Sequence, residues 1–130
     1  LHRRGKTSKM PRLVAGSSFR KNPIVQSFLR GRPACEDLKP EMIRETRVNE
    51  PLINWHSFDG DEALYAIRQS SGDARHVSDR KMKEMSTFLH KKEGLRILPA
   101  STAGLIAMLE IHEREPFAND RYVAVLTGRY

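Results

Sequence analysis

The stretch Val77-Ser78-Asp79-Arg80-Lys81-Met82-Lys83-Glu84-Met85-Ser86-Thr87-Phe88-Leu89-His90-Lys91-Lys92-Glu93-Gly94 decides how the rest of the chain is read. Ser78-Asp79 is a helix start: a short oxygen-bearing side chain can accept from the free N–H groups of a first turn. Met82, Met85, Phe88 and Leu89 then recur at three- and four-residue intervals, one apolar face of a helix, and Gly94 supplies the stop. A Met-rich stripe of this kind is a core face before it is a partner groove. Leu95-Arg96-Ile97-Leu98 alternates as a short strand, and Pro99-Ala100-Ser101-Thr102-Ala103-Gly104 leads into an apolar helix from Leu105 to Ile111.

Working outward, Ala74 to Val77 is a short strand or extended entry, preceded by a helix headed by Asp59-Gly60-Asp61-Glu62 and buried through Ala63, Leu64, Tyr65 and Ile67 as far as Gly72. Leu52-Ile53-Asn54-Trp55 provides a large apolar anchor, and 33–50 is irregular with a helical turn near Met42-Ile43. Asn22 caps a short helix whose first residue is Pro23 and whose apolar face is Ile24, Val25, Phe28 and Leu29. Met10 to Ala15 reads as a buried strand turning at Gly16-Ser17-Ser18. At the other end Tyr122-Val123-Ala124-Val125-Leu126 is a β-branched buried strand closed by Thr127-Gly128. Alternation of strands and helices predicts an α/β domain: three layers, a mainly parallel open sheet with helices on both faces.

Composition sets the bounds. The chain has 130 residues, 38% hydrophobic and 30% charged, which fits one domain with a lean core. Residues 1–47 carry 12 Lys and Arg against 4 acids, a balance of +8, whereas the remainder balances at −1. Such a basic end can attract phosphate-bearing partners. It has no interleaved aromatics, zinc-finger spacing or RNP-like pattern, so nucleic acid is not the expected partner and a solvated surface is the plainer reading; 1–9 reads as a basic arm or the end of a truncated helix. The single Cys35 excludes a disulfide framework and suits a reducing compartment such as the cytoplasm. No run of about 18 apolar residues exists for a membrane-spanning helix. His2, His56, His76, His90 and His112 lack metal spacing, no G-x-S-x-G elbow, P-loop or G-x-G-x-x-G occurs, and Glu110 with Glu113 reads as a solvated pair. No catalytic residue and no metal ligand is therefore assigned.

Ligands of an open parallel sheet lie beyond the carboxyl ends of its strands. Thr127 and Gly128 follow the strongest strand, where a hydroxyl can meet a ring nitrogen or phosphate and a glycine admits close backbone approach; a plain strand-ending turn is the other reading. Ser101 and Thr102 stand at a second strand end and a helix start, as ligand contacts or as simple caps.

Four pieces in order resemble the C-terminal part of threonine synthase and its relatives among the fold-type II pyridoxal-phosphate enzymes, the tryptophan synthase beta-like superfamily. Met10-Pro11-Arg12-Leu13-Val14-Ala15-Gly16 resembles the Pro-Arg strand that follows the family's phosphate-binding glycine loop. Asn49-Glu50-Pro51-Leu52-Ile53-Asn54-Trp55 resembles its Asn-Pro-x-x-Trp segment. Val77-Ser78-Asp79 with Gly94-Leu95 through Pro99-Ala100-Ser101 to Leu105 resembles its V-S-D start and G-I-x-x-E-P-A-S signature, and Val123 to Gly128 its closing V-V-x-L-T-G strand.

The resemblance implies that 1–130 is the C-terminal portion of a larger domain in a pyridoxal phosphate-dependent lyase that turns phosphohomoserine into threonine and phosphate, or performs a related replacement or elimination. It implies Thr127 as the hydroxyl at the cofactor's pyridine nitrogen, with Gly128 and Ser101 beside it, and a homodimeric parent acting on an amino-acid substrate. Leu98 stands where the family has Glu, and Arg129-Tyr130 where it has His-Gly. The Schiff-base Lys, the Asn at the cofactor's 3′ oxygen and the glycine loop lie earlier in the family and have no counterpart here; Lys21 follows the Pro-Arg strand, where the family has no catalytic Lys. The chain alone is therefore expected to bind no cofactor and to be catalytically silent without the N-terminal part of the same enzyme. A cysteate synthase or threonine dehydratase-like relative is the nearest alternative. A non-catalytic module binding a partner or nucleic acid through its basic first third is the alternative of another class.

Overall fold

A computed structural model describes residues 11–116 and 122–128. Among them the elements are strand β1 (Val14–Ser18), helix α1 (Pro23–Leu29), helix α2 (Gly60–Gln69), strand β2 (Asp73–Val77), helix α3 (Asp79–Glu93) and helix α4 (Ala103–Arg114), with 3-10 turns at Pro40–Met42, Glu50–Leu52 and Pro99–Thr102. The fold is α/β around a two-stranded parallel sheet in which Gly16 lies opposite Arg75 and Ser17 opposite His76. Side chains alternate across a sheet, and the two faces are covered differently. A Cβ added to Gly16 would point at Ala103 and Ala107 of α4, and Arg75 reaches Glu110 of α4. On the opposite face His76 meets the α1 side through the Arg20 backbone. Helix, sheet and helix are thus three layers.

Local signals explain the helices. Asn22 Oδ1 accepts from the amides of Ile24 (3.0 Å) and Val25 (3.1 Å), and Pro23 opens α1 where no amide hydrogen is needed. Ser78 caps α3 by accepting from Lys81 N, and Gly94 ends it at φ +68°, while Lys91 and Lys92 place positive charge at the negative end of the dipole. Asp61 and Glu62 occupy the first turn of α2 and Arg68 its last. The core gathers Val77, Met82, Ala103, Ile106 and Val48, with Leu52 and Met85 packed against it. Asn49 is fully buried in the irregular segment, its side chain accepting from Thr46 N (2.7 Å) and donating to Arg44 O (3.3 Å), which explains why a polar residue can be held there.

Several expectations are corrected. The first strand runs from Val14 to Ser18, so Gly16-Ser17-Ser18 is strand and not turn: the glycine is there to admit α4. Leu95–Leu98 forms only an isolated bridge residue at Ile97, and Tyr122–Leu126 is extended chain outside any sheet, with Val123 82% and Val125 75% exposed. Both lack a ladder partner among the described residues. Trp55, Leu29, Tyr65 and Phe88 are exposed, because the buried faces fall on Val25, on Leu64 and Ile67, and on Met82, Ser86 and Leu89. The basic arm 1–9 and Arg129-Tyr130 lie outside the described residues.

Candidate functional site

The site is built on the Pro99–Thr102 turn that runs directly into α4. Pro99 starts the turn, and Ser101 N donates to Leu98 O at 3.0 Å. Ala100 and Thr102 point inward; the Thr102 hydroxyl donates to Pro99 O (2.7 Å), with Met82 O of α3 a longer second acceptor (3.4 Å). Those anchors set the turn beside the carboxyl end of β2, since Val77, the last residue of that strand, packs with Met82 and Ala103. Ser101 is left half-buried on the outer side.

Gly128 is brought to this turn from 27 residues away. Its N–H donates to Ser101 Oγ at 2.7 Å and its carbonyl accepts from Leu98 N at 3.1 Å. A Cβ at position 128 would lie 2.8 Å from Ser101 Oγ and 2.9 Å from Leu98 Cδ1, so a larger residue there would push on both side chains. Ser101 and Gly128, two of the three residues singled out from sequence, are therefore in direct contact. Thr127, the third, is exposed next to them, and its hydroxyl makes no hydrogen bond among the described residues. Leu98 was missed: its role is played by a main-chain N–H, and nothing in its side chain signals that.

A charged cluster lies farther along α4. Glu110 is not solvated beside Glu113; it accepts from Arg75 Nη2 (3.1 Å) and Lys81 Nζ (2.5 Å), tying α4 to β2 and α3. Burial pushes its carboxyl up, but the hydrogen bonds and charges of Lys81 and Arg75 outweigh this and hold it below the usual carboxylate range. A carboxylate depressed on folding contributes stability that is complete above its unfolded value and lost as pH falls through the folded one. Glu110→Gln is expected to cost about 1–2 kcal/mol at neutral pH and to flatten the acid limb of the stability profile. Urea midpoints of both proteins from neutral pH to about pH 3 check this, and parallel profiles would refute it.

Cys35 is a bystander. Its thiol is pushed up by burial, with a hydrogen bond from Ser27 opposing and the carboxylates Asp61 and Asp37 adding to the rise, and it packs where a Cβ at Gly60 would lie 2.5 Å from Sγ. Among the described residues no group of three metal-binding side chains converges, and no helix is long and apolar enough to cross a membrane.

No family model matches the chain. It is 30% identical to a threonine synthase of Synechocystis sp. and 27% identical to one of Methanosarcina acetivorans, in each case over 125 residues, 95% of this chain and 29% of the relative. A threonine synthase of Methanocaldococcus jannaschii is 28% identical over 130 residues, again 95% of this chain and 30% of that protein. The chain thus spans less than a third of the length of these relatives, and along nearly all of its own length it is similar to them.

Proposed function

We propose that this chain supplies the ring-nitrogen side of the pyridoxal phosphate site in a threonine synthase-like enzyme, as the C-terminal portion of a fold-type II large domain. The observation that carries the reading is the pair of hydrogen bonds clasping Gly128 between Ser101 and Leu98, next to which the exposed Thr127 hydroxyl makes no hydrogen bond among the described residues. Pyridoxal phosphate, when bound, supplies an electron sink for chemistry at the α-carbon of an amino acid. The donor set fits one end of that group: a neutral hydroxyl on backbone held in place by its neighbour. Thr127 would share a hydrogen bond with the pyridine nitrogen without imposing a charge there, as a carboxylate would. Ser101 acts through Gly128, orienting Thr127.

The parent enzyme in this reading is a cytoplasmic homodimer converting phosphohomoserine to threonine and phosphate. The nucleophilic lysine and the phosphate cradle of the family have no counterpart in this sequence, so the chain alone is silent and its partner is the lysine-bearing part of the same enzyme. Mixing the chain with pyridoxal phosphate is expected to give no stoichiometric absorbance near the visible edge; a stable band from one modified lysine would overturn the silence. Assembled with the lysine-bearing part, Thr127→Val is expected to slow phosphate release about tenfold, the worth of one hydrogen bond. An unchanged rate would remove Thr127 from the site.

A further inference from the structure

The carboxyl end of β1 runs into a turn, Phe19-Arg20-Lys21, in which Arg20 sits at φ +55°. That left-handed conformation is one that non-glycine side chains adopt only when their surroundings hold them in it. Two hydrogen bonds do so here. Lys21 N donates to Ser18 O at 3.2 Å, closing the turn on its own strand, and Arg20 N donates to Nδ1 of His76 on β2 at 3.1 Å. The imidazole is held in turn by the Phe19 ring, 5.1 Å away between centroids, over which the Arg20 guanidinium lies at 5.1 Å. With Nδ1 accepting, the single proton of a neutral ring sits on Nε2.

We propose that His76 is a proton-operated latch on this turn: neutral, it fastens Arg20 in the left-handed conformation, and protonated, it releases Phe19-Arg20-Lys21. The reason is an exchange of roles. A proton on Nδ1 converts the acceptor into a donor that faces the Arg20 N–H, so the bond is replaced by repulsion between two donors. The charged groups around the ring act in the same direction. Arg20 faces it from the turn, beside the Phe19 ring, and Arg30, the C-cap of α1, stands behind Gln26; from β1 the ring meets the Ser18 backbone, which carries no charge. Burial, followed by the Arg20 charge, accordingly lowers the affinity of His76 for a proton, against a smaller opposite pull from the Ser18 backbone.

Release has structural reach because three elements meet at the turn. Lys21 O accepts from Asn54 N at 3.1 Å, and the next residue, Asn22, caps α1. A proton on one ring nitrogen therefore reaches β1, α1 and the 54–56 segment together. None of this depends on the proposed cofactor role.

The test is a nitrogen-15 NMR titration of the 130-residue chain from about pH 8 to about pH 5. The Arg20 amide is expected to shift with the midpoint of the His76 ring, below the ordinary histidine value, and to exchange with solvent about tenfold faster at the acid end. In His76→Gln, which does not titrate in this range, that response is expected to vanish. An Arg20 amide that ignores the His76 titration in the unsubstituted chain overturns the latch, whether or not the variant folds. So does an Arg20 response that persists unchanged in a folded His76→Gln protein.

Discussion

Replacing Gly16 by valine is expected to destabilise the chain by about 3 kcal/mol or more, beyond the ordinary range for an overfilled core. The first added carbon would lie 2.2 Å from Ala103 O, 2.7 Å from Ala103 C and 2.9 Å from Ala107 Cβ. Two of those atoms are backbone and the third is a methyl group with no rotamer to change, so relief requires α4 to lift from β1. Domains of this size are commonly stable by only about 5–15 kcal/mol, and a lean core leaves less to spare. Because Thr102 and Ala103 begin at that contact, lifting α4 also pulls the Ser101–Gly128 clasp away from the strand ends. Urea denaturation measures the loss. A midpoint unchanged from the parent protein would show that α4 does not rest on β1 as described, and adding Ala107→Gly is expected to give little relief, since the backbone contacts remain.

Met82→Ala is expected to cost about 2–5 kcal/mol, the range for large-to-small changes in a packed interior. The side chain is fully buried in the cluster formed by Val48, Val77, Ala103 and Ile106, drawn from three separate segments, so no single neighbour can move to fill the space. Met82→Leu conserves volume and is expected to cost less than about 1.5 kcal/mol. Thermal or urea unfolding of the pair distinguishes lost packing from a lost main-chain contact: Met82 O still meets the Thr102 hydroxyl in both variants. Equal losses in the two would place the effect in the backbone.

What could be read in advance and what could not divides along a physical line. Helix boundaries are set by groups within four residues of each other, so Asn22 with Pro23, and Ser78 with Gly94, announced their helices directly. A strand also needs a neighbour, which no local pattern supplies. Tyr122–Leu126 has β-branched side chains and still forms no strand pairing among the described residues, and Leu95–Leu98 contributes a single bridge residue. At the site, Thr127, Gly128 and Ser101 were legible because glycine, hydroxyls and strand ends mark ligand positions in α/β folds. The clasp itself was not, since Leu98 takes part through its amide alone. Nor was the Glu110 cluster, whose cations arrive from β2 and α3 and share no spacing with it.

The extended run Tyr122-Val123-Ala124-Val125-Leu126 bears on how the chain behaves as a colloid. It holds no charge and no proline and carries the exposed Val123 and Val125, a combination that offers a template to an identical run on another molecule. What keeps two such runs apart in dilute buffer is the formal net charge of +7 carried by the rest of the chain. That repulsion fades beyond about 10 Å at 0.1 M salt. Raising the ionic strength is therefore expected to bring copies of this protein together.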